Sequence, residues 1–306
     1  MPTRDRANAV GVLFAASGAA SYGATIAFGR SLAKARLGAP TVLSMRFGVA
    51  ALLLFVVGWV ARRPGPATGE RVVLFLLGLV YTVESTLFFM ALERGTAAAV
   101  ALLFYSYPVV VTVLDFVTGA ARPSRRVLLA LCASIGGSAV VAVAGADVSI
   151  TAAGIAFSLS SATLFAFYLF AGDRAVVRSD AVAKATWTAL GCGVGHLVRG
   201  VATSSLHSPA GHLPALVANG VVTASAFFCM FAGLRLLGPS RTSVVMTLEA
   251  FFGILFAAVF LGESLGGLQI AGGVAILFGA ALVASSPRTT GAGLGGELAD
   301  AASEPP

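Results

Sequence analysis

Long uninterrupted apolar runs constrain this chain more than any other feature. Each is about 20 residues long, the length a helix rising about 1.5 Å per residue needs to cross a hydrocarbon core of about 30 Å. They fall at roughly 9–29, 39–60, 71–92, 95–118, 126–146, 151–172, 181–201, 214–237, 239–261 and 267–286. Barrel strands would instead be short and alternating, so the expected class is an all-α polytopic membrane protein with ten transmembrane helices. The run at 181–201 is the weakest, and the count falls to nine if it does not span. Composition agrees: 11% of the 306 residues are charged and the mean hydropathy is +0.92, whereas a soluble domain carries about 25% charged residues.

Lys and Arg set the expected orientation. With the N-terminus inside, 14 of the 20 fall on cytoplasmic segments; only Arg30, Lys34, Arg36, Arg94 and Arg199 lie in outer loops, and Arg46 lies inside a run. That bias places both termini in the cytoplasm of a cell membrane. The net charge of +7 is therefore a topology signal, and no basic face of a soluble module is present for nucleic acid. The first run is too long for a signal-peptide core and is expected to stay as a span. Cys132, Cys192 and Cys229 lie inside runs without CxxC spacing and read as small buried hydrophobes. No metal or other cofactor is expected. Residues 1–8 form a short cytoplasmic N-terminus, and the Gly-, Ala- and acid-rich 287–306 reads as a disordered cytoplasmic tail.

Ten runs divide as five plus five. Sliding the chain by 142 residues sets Leu92 on Leu234, Pro108 on Ala250, Val117 on Val259 and Gly137 on Gly279; sliding by 143 sets Gly11 on Gly154 and Ser17 on Ser160. Five is odd, so the halves 9–145 and 151–286 would enter the membrane from opposite sides as an inverted repeat.

Local strings carry a family resemblance. Ala91-Leu92-Glu93-Arg94-Gly95, Leu248-Glu249-Ala250-Phe251-Phe252 and Phe260-Leu261-Gly262-Glu263-Ser264-Leu265 resemble the EamA domain of the drug/metabolite transporter superfamily. The resemblance covers two tandem domains, nearly the whole chain. It implies a secondary active transporter of a small metabolite, such as an amino acid, amine or drug-like solute, with export common among its members. The family usually carries Pro after the Glu of the ninth span, where this chain has Ala250; the first half keeps Pro108, but Ala121 and Arg122 stand where the second has Glu263 and Ser264. A carboxylate role shared by both halves is therefore not expected.

Several residues stand out as a solute or proton pathway. Glu84 lies about 18 Å into the third run, with Tyr81, Ser85 and Phe88 on its helical face. A carboxylate between aromatic rings suits a cationic or amine-bearing solute, or relays a proton; a helix–helix hydrogen bond is the structural alternative. Glu249 lies about 14 Å into the ninth run, near mid-membrane, where an ionised group costs at least about 2.5–3.5 kcal/mol and needs a cavity, a partner or a proton. Tyr105, Tyr107 and Pro108 reach a similar depth in the fourth run, and proline predicts a kink there. Tyr22 and Thr25, with Ser161, Phe165 and Tyr168, could complete a polar and aromatic lining, although each suits helix packing equally well. Arg46 reads as structural, snorkelling to the outer interface or pairing with Glu84 or Asp115. Asp115 reads as interfacial, neutralised by Arg122, Arg125 and Arg126. Glu263 reads as the N-terminal cap of the tenth span. The doublets Gly136-Gly137, Gly266-Gly267 and Gly272-Gly273 read as packing surfaces.

No GxxxxGK[ST] is present, so nucleotide hydrolysis through a P-loop is not expected to drive transport. An intramembrane enzyme or a non-transporting scaffold is the alternative. HExxH is absent, and His196, His207 and His212 crowd into one span end and one outer loop. The expected partners are a small-molecule solute and the lipid bilayer; a homodimer is left open.

Overall fold

A computed structural model describes residues 2–34, 37–119, 123–144, 148–174, 179–261 and 265–286. The described residues form twelve helices and no named strand: α1 Pro2–Lys34, α2 Ala39–Val60, α3 Thr68–Leu92, α4 Ala97–Phe104, α5 Tyr107–Val117, α6 Arg125–Val143, α7 Ala152–Arg174, α8 Ala181–Ala202, α9 Leu213–Leu237, α10 Pro239–Met246, α11 Leu248–Leu261 and α12 Gly267–Ala284. Glu263, Arg122 and the tail 287–306 lie outside the described residues.

Polar punctuation sets the helix starts. Pro40 occupies the first turn of α2, where its missing N–H costs nothing. Ser124 and Asp180 cap α6 and α8 by accepting from the backbone N–H groups of Val127 (3.4 Å) and Ala183 (2.8 Å). Between α9 and α10 the chain reverses at Gly238, whose φ of +79° favours glycine. Side chains such as Leu52, Phe55, Trp59, Phe116, Val259 and Phe278 are exposed around the bundle, as lipid contact requires.

Nine segments among the described residues are long and apolar enough to cross a membrane. The protein is a multi-pass membrane protein. The weak run at 181–201 forms the 22-residue α8, which is not among those nine; it carries Lys184, His196 and Arg199.

Two runs read as single spans are each two helices. The fourth breaks between α4 and α5, one turn ahead of Pro108, as proline predicts; the ninth breaks between α10 and α11 at Thr247 without a proline. Both breaks use a hydroxyl that donates to the carbonyl three residues back, Ser106 to Leu103 at 2.7 Å and Thr247 to Val244 at 2.7 Å. The register repeats too: adding 142 to Ala97–Phe104 gives Pro239–Met246, the bounds of α10.

α1 packs on α9 and α11, α2 on α8 and α9, α3 on α7 and α8, α5 on α7, and α6 on α12. Glycine permits the closest crossings. A Cβ at Gly137 would stand 2.6 Å from the Gly272 carbonyl oxygen, and one at Gly78 would stand 2.8 Å from Gly191 Cα. Gly136 and Gly267 meet nothing nearby, whereas both members of Gly272-Gly273 pack closely, on Gly137 and on Phe251. Cys192 and Cys229 are buried as expected, whereas Cys132 is exposed on the outside of α6.

Candidate functional site

The helices enclose a cavity of about 580 Å³, a size that suits a small organic molecule. Its upper wall comes from the helix ends farthest from the chain termini: Val42 and Leu43 of α2, Phe89 and Leu92 of α3, Ala97 and Ala98 of α4, Ala142 of α6, and Gln269 of α12. Its deep end holds Tyr22, Arg46, Tyr81, Glu84, Tyr105 and Glu249. The cavity thus runs from mid-bundle toward this far face.

Glu84 sits in mid-α3, 3% exposed, where Ser161 Oγ of α7 donates to its Oε1 at 2.7 Å. This bond joins the third and sixth runs beside the cavity. Glu249 reaches the same space from the first turn of α11. There the positive end of the half-helix dipole favours its carboxylate, an advantage that the unbroken α3 cannot offer Glu84. Tyr81, Phe88, Tyr105, Tyr22 and Thr25 also line the cavity.

Four expected lining residues do not: Tyr107, Ser161, Phe165 and Tyr168. Tyr107 and Tyr168 are fully buried below the cavity. Tyr107 Oη donates to the Ser243 carbonyl of α10 at 3.2 Å. The Tyr168 ring stands 5.1 Å from Tyr81 and 6.0 Å from Phe231. With Phe165, 4.8 Å from the Tyr107 ring, they form an aromatic floor. Their polar ends suggested a lining from sequence, but their helical faces turn inward onto other rings.

Arg46 lines the cavity wall, its Cζ 4.6 Å from the Phe47 ring centroid. Among the described residues it forms no ion pair with Glu84 or Asp115. Asp115 has other partners than those expected: Arg174 Nη2 at 3.4 Å, with Ser240 donating both its N–H (3.0 Å) and its hydroxyl. It is 2% exposed and joins α5, α7 and the start of α10. Nearby, Arg241 Nη2 donates to Asn8 Oδ1 (2.7 Å), to the Val283 carbonyl (2.6 Å) and to the Ser286 carbonyl (2.9 Å). Every residue of α10 is buried. The terminus face is therefore closed by α10 and its polar ties while the cavity runs to the far face.

Asn219 of α9 was not singled out from sequence. It lines the cavity, is 1% exposed, and its Oδ1 has no hydrogen-bond partner. Among the described residues no group of three or more His, Cys, Asp or Glu could hold a metal ion. One string of hydrolase type, Gly262-Glu263-Ser264-Leu265-Gly266, does match GxSxG. That motif works on a strand-to-helix elbow, and this one connects α11 to α12, with 262–264 outside the described residues.

The model of the EamA-like transporter family matches residues 9–143 and again 152–285. The chain belongs to this family. As an EamA-family protein it carries two copies of the domain, with the cavity lined from both: Glu84 and Arg46 by the first, Asn219 and Glu249 by the second. No curated protein matches the chain. Among solved structures, 29 chains match. One, described as "Crystal structure of protein", is 17% identical, with 90% of this chain covering 98% of that one at a TM-score of 0.77. At that identity the likeness speaks to the fold.

Proposed function

We propose that this EamA-family protein is a secondary active transporter that carries a small solute through the central cavity by alternating access. The observation that carries the reading is a closed terminus face beneath a far-face cavity holding Glu84, Arg46 and Glu249. Charged groups so deep in a membrane bundle mark a solute or ion path. Tyr81 and Phe88 beside Glu84 suit a cationic or amine-bearing group, and a proton on either carboxyl would couple solute movement to a proton gradient.

We read the chain as ten spans, counting α8, in two inverted repeats over 9–145 and 151–286. Packing supports this. Exchanging each span of one half with its counterpart in the other turns the α1–α9 contact into the α7–α3 contact, and α2–α9 into α8–α3; α2–α8 and α6–α12 map onto themselves. Both broken spans also exchange. Such halves can rock about a fixed central site. In this reading both termini lie in the cytoplasm of the cell membrane, which makes the far face external; export is taken from its being common in the family that the chain resembles.

The test is flux by purified protein in proteoliposomes, across a panel of amino acids, amines and drug-like cations, with and without a pH gradient. Saturable flux of at least one solute is expected, falling about tenfold or more in Glu84→Gln with its pH profile changed. No flux across the panel contradicts the transport reading, and unaltered flux from Glu84→Gln at every pH removes that residue from it.

A further inference from the structure

We propose that Arg46 and Asn219 form an anion-binding subsite in the cavity, so that the solute carries a carboxylate group in addition to the amine that faces Glu84 and Glu249. The inference rests on the transport reading above and deepens it.

Arg46 is set on a rigid shelf. Phe47 beneath it is fully buried, with its ring 5.8 Å from the His196 ring at an interplanar angle of 9° and edge-on to Tyr81 and Phe227. His196 is held in turn, its Nε2 2.9 Å from Ser85 Oγ. A planar guanidinium over a fixed ring keeps its N–H fork turned to a ligand, and that fork matches a carboxylate.

The group also has unused capacity. Arg46 Nε is a buried donor without a hydrogen-bond partner and calls for an acceptor. Asn219 Oδ1 is a buried acceptor without one and calls for a donor, so Asn219 meets an anion through its NH2. Leaving such groups unsatisfied is costly, which makes a polar ligand the natural completion. Neither Glu84 nor Glu249 is ion-paired to the guanidinium among the described residues.

The two residues lie on helices pressed together at this level. Gly220, next to Asn219, packs so tightly on α2 that an added Cβ would stand 2.5 Å from Val49 and 3.2 Å from the Arg46 carbonyl oxygen. The Asn219 amide has both an acceptor and two donors. It can orient Arg46 through its oxygen or donate N–H groups to the same anion. The cavity thus offers cation-binding carboxyls on α3 and α11 and an anion-binding corner between α2 and α9.

Matched solute triplets test this: leucine, leucinamide and isoamylamine, and phenylalanine, phenylalaninamide and phenethylamine, compared by proteoliposome flux. The acid of at least one triplet is expected to exceed its amide and its amine by about tenfold or more, the size of one charge-assisted hydrogen bond. Arg46→Gln is expected to erase that ratio, and Arg46→Lys to keep part of it. Asn219→Asp, which adds a carboxylate at the corner, is expected to turn the preference toward the amide. Because the readout is a ratio within one protein sample, a lowered yield of folded protein does not mimic it. Equal flux of the three members, or an acid preference kept by both Arg46→Gln and Asn219→Asp, overturns the subsite while leaving transport intact. No flux of any member, in a protein that carries another solute of the wider panel, overturns the subsite, and no flux across that whole panel overturns the transport reading and the subsite with it.

Discussion

Glu84 and Glu249 solve the cost of a carboxyl in the bundle in different ways. Glu84 borrows a hydroxyl from Ser161 across the α3–α7 contact, whereas Glu249 starts a half-helix. Ser161→Ala is expected to lower flux by about threefold to tenfold, less than Glu84→Gln does, because one hydrogen bond is worth about 0.5–1.5 kcal/mol net. Flux measured against pH checks it, since the lost donor also alters when Glu84 holds a proton; a profile identical to wild type would contradict the pairing. Both acids were legible in the sequence, because an ionisable residue in an apolar run has few uses. Arg46 was visible, but its direction was not. Depth along a helix does not say which side the residue faces, and only packing against α9 turns it inward. Asn219 escaped because a single Asn near a span start reads as interfacial. The signal available was its neighbour Gly220, a residue that permits close helix approach.

At the scale of elements, the broken spans differ in what they expose. α4 is Ala97–Phe104, AAAVALLF, and offers no polar side chain; its counterpart α10 is PSRTSVVM, tied to Asp115 through Ser240 and to Asn8 through Arg241. The closed terminus face therefore has a polar latch whose counterpart in α4 is methyl groups. Asp115→Asn should loosen it by about 1–2 kcal/mol, a fivefold to thirtyfold rise in the terminus-open population. Thiol modification of a cysteine introduced at the buried Ser243 reads that rise, and an unchanged rate would show that Asp115 does not hold the latch. The break before α5 was legible through Pro108. The one before α11 was not, because a threonine hydroxyl bonding back to Val244 leaves no mark that separates it from an ordinary helical threonine. Asp115 was visible but assigned to arginines nearer in sequence, while Arg174, 59 residues away, is the partner brought by the fold.

Across the whole molecule, the all-helical membrane class followed from run length and hydropathy, since a membrane leaves few alternatives, whereas the ten runs correspond to twelve helices and nine candidate spans among the described residues. The assembly of a shared cavity did not follow, because it depends on which faces of α1, α3, α9 and α11 meet. The proposed exchange of halves can be followed at one pair of positions: adding 142 to Ala101, on the cavity wall, gives Ser243, fully buried behind the latch. If the halves exchange roles, Ser243 lines the cavity whenever Ala101 does not. The direct measurement uses a chain with Cys132, Cys192 and Cys229 replaced and a single cysteine at either position, exposed to a membrane-impermeant thiol reagent on one side at a time. Without solute, Ala101→Cys should react from the far face and Ser243→Cys from neither. Under turnover with a transported solute, Ser243→Cys should react from the terminus face while reaction at Ala101→Cys falls. A Ser243→Cys protein that carries flux yet never reacts from the terminus face would contradict alternating access through this cavity.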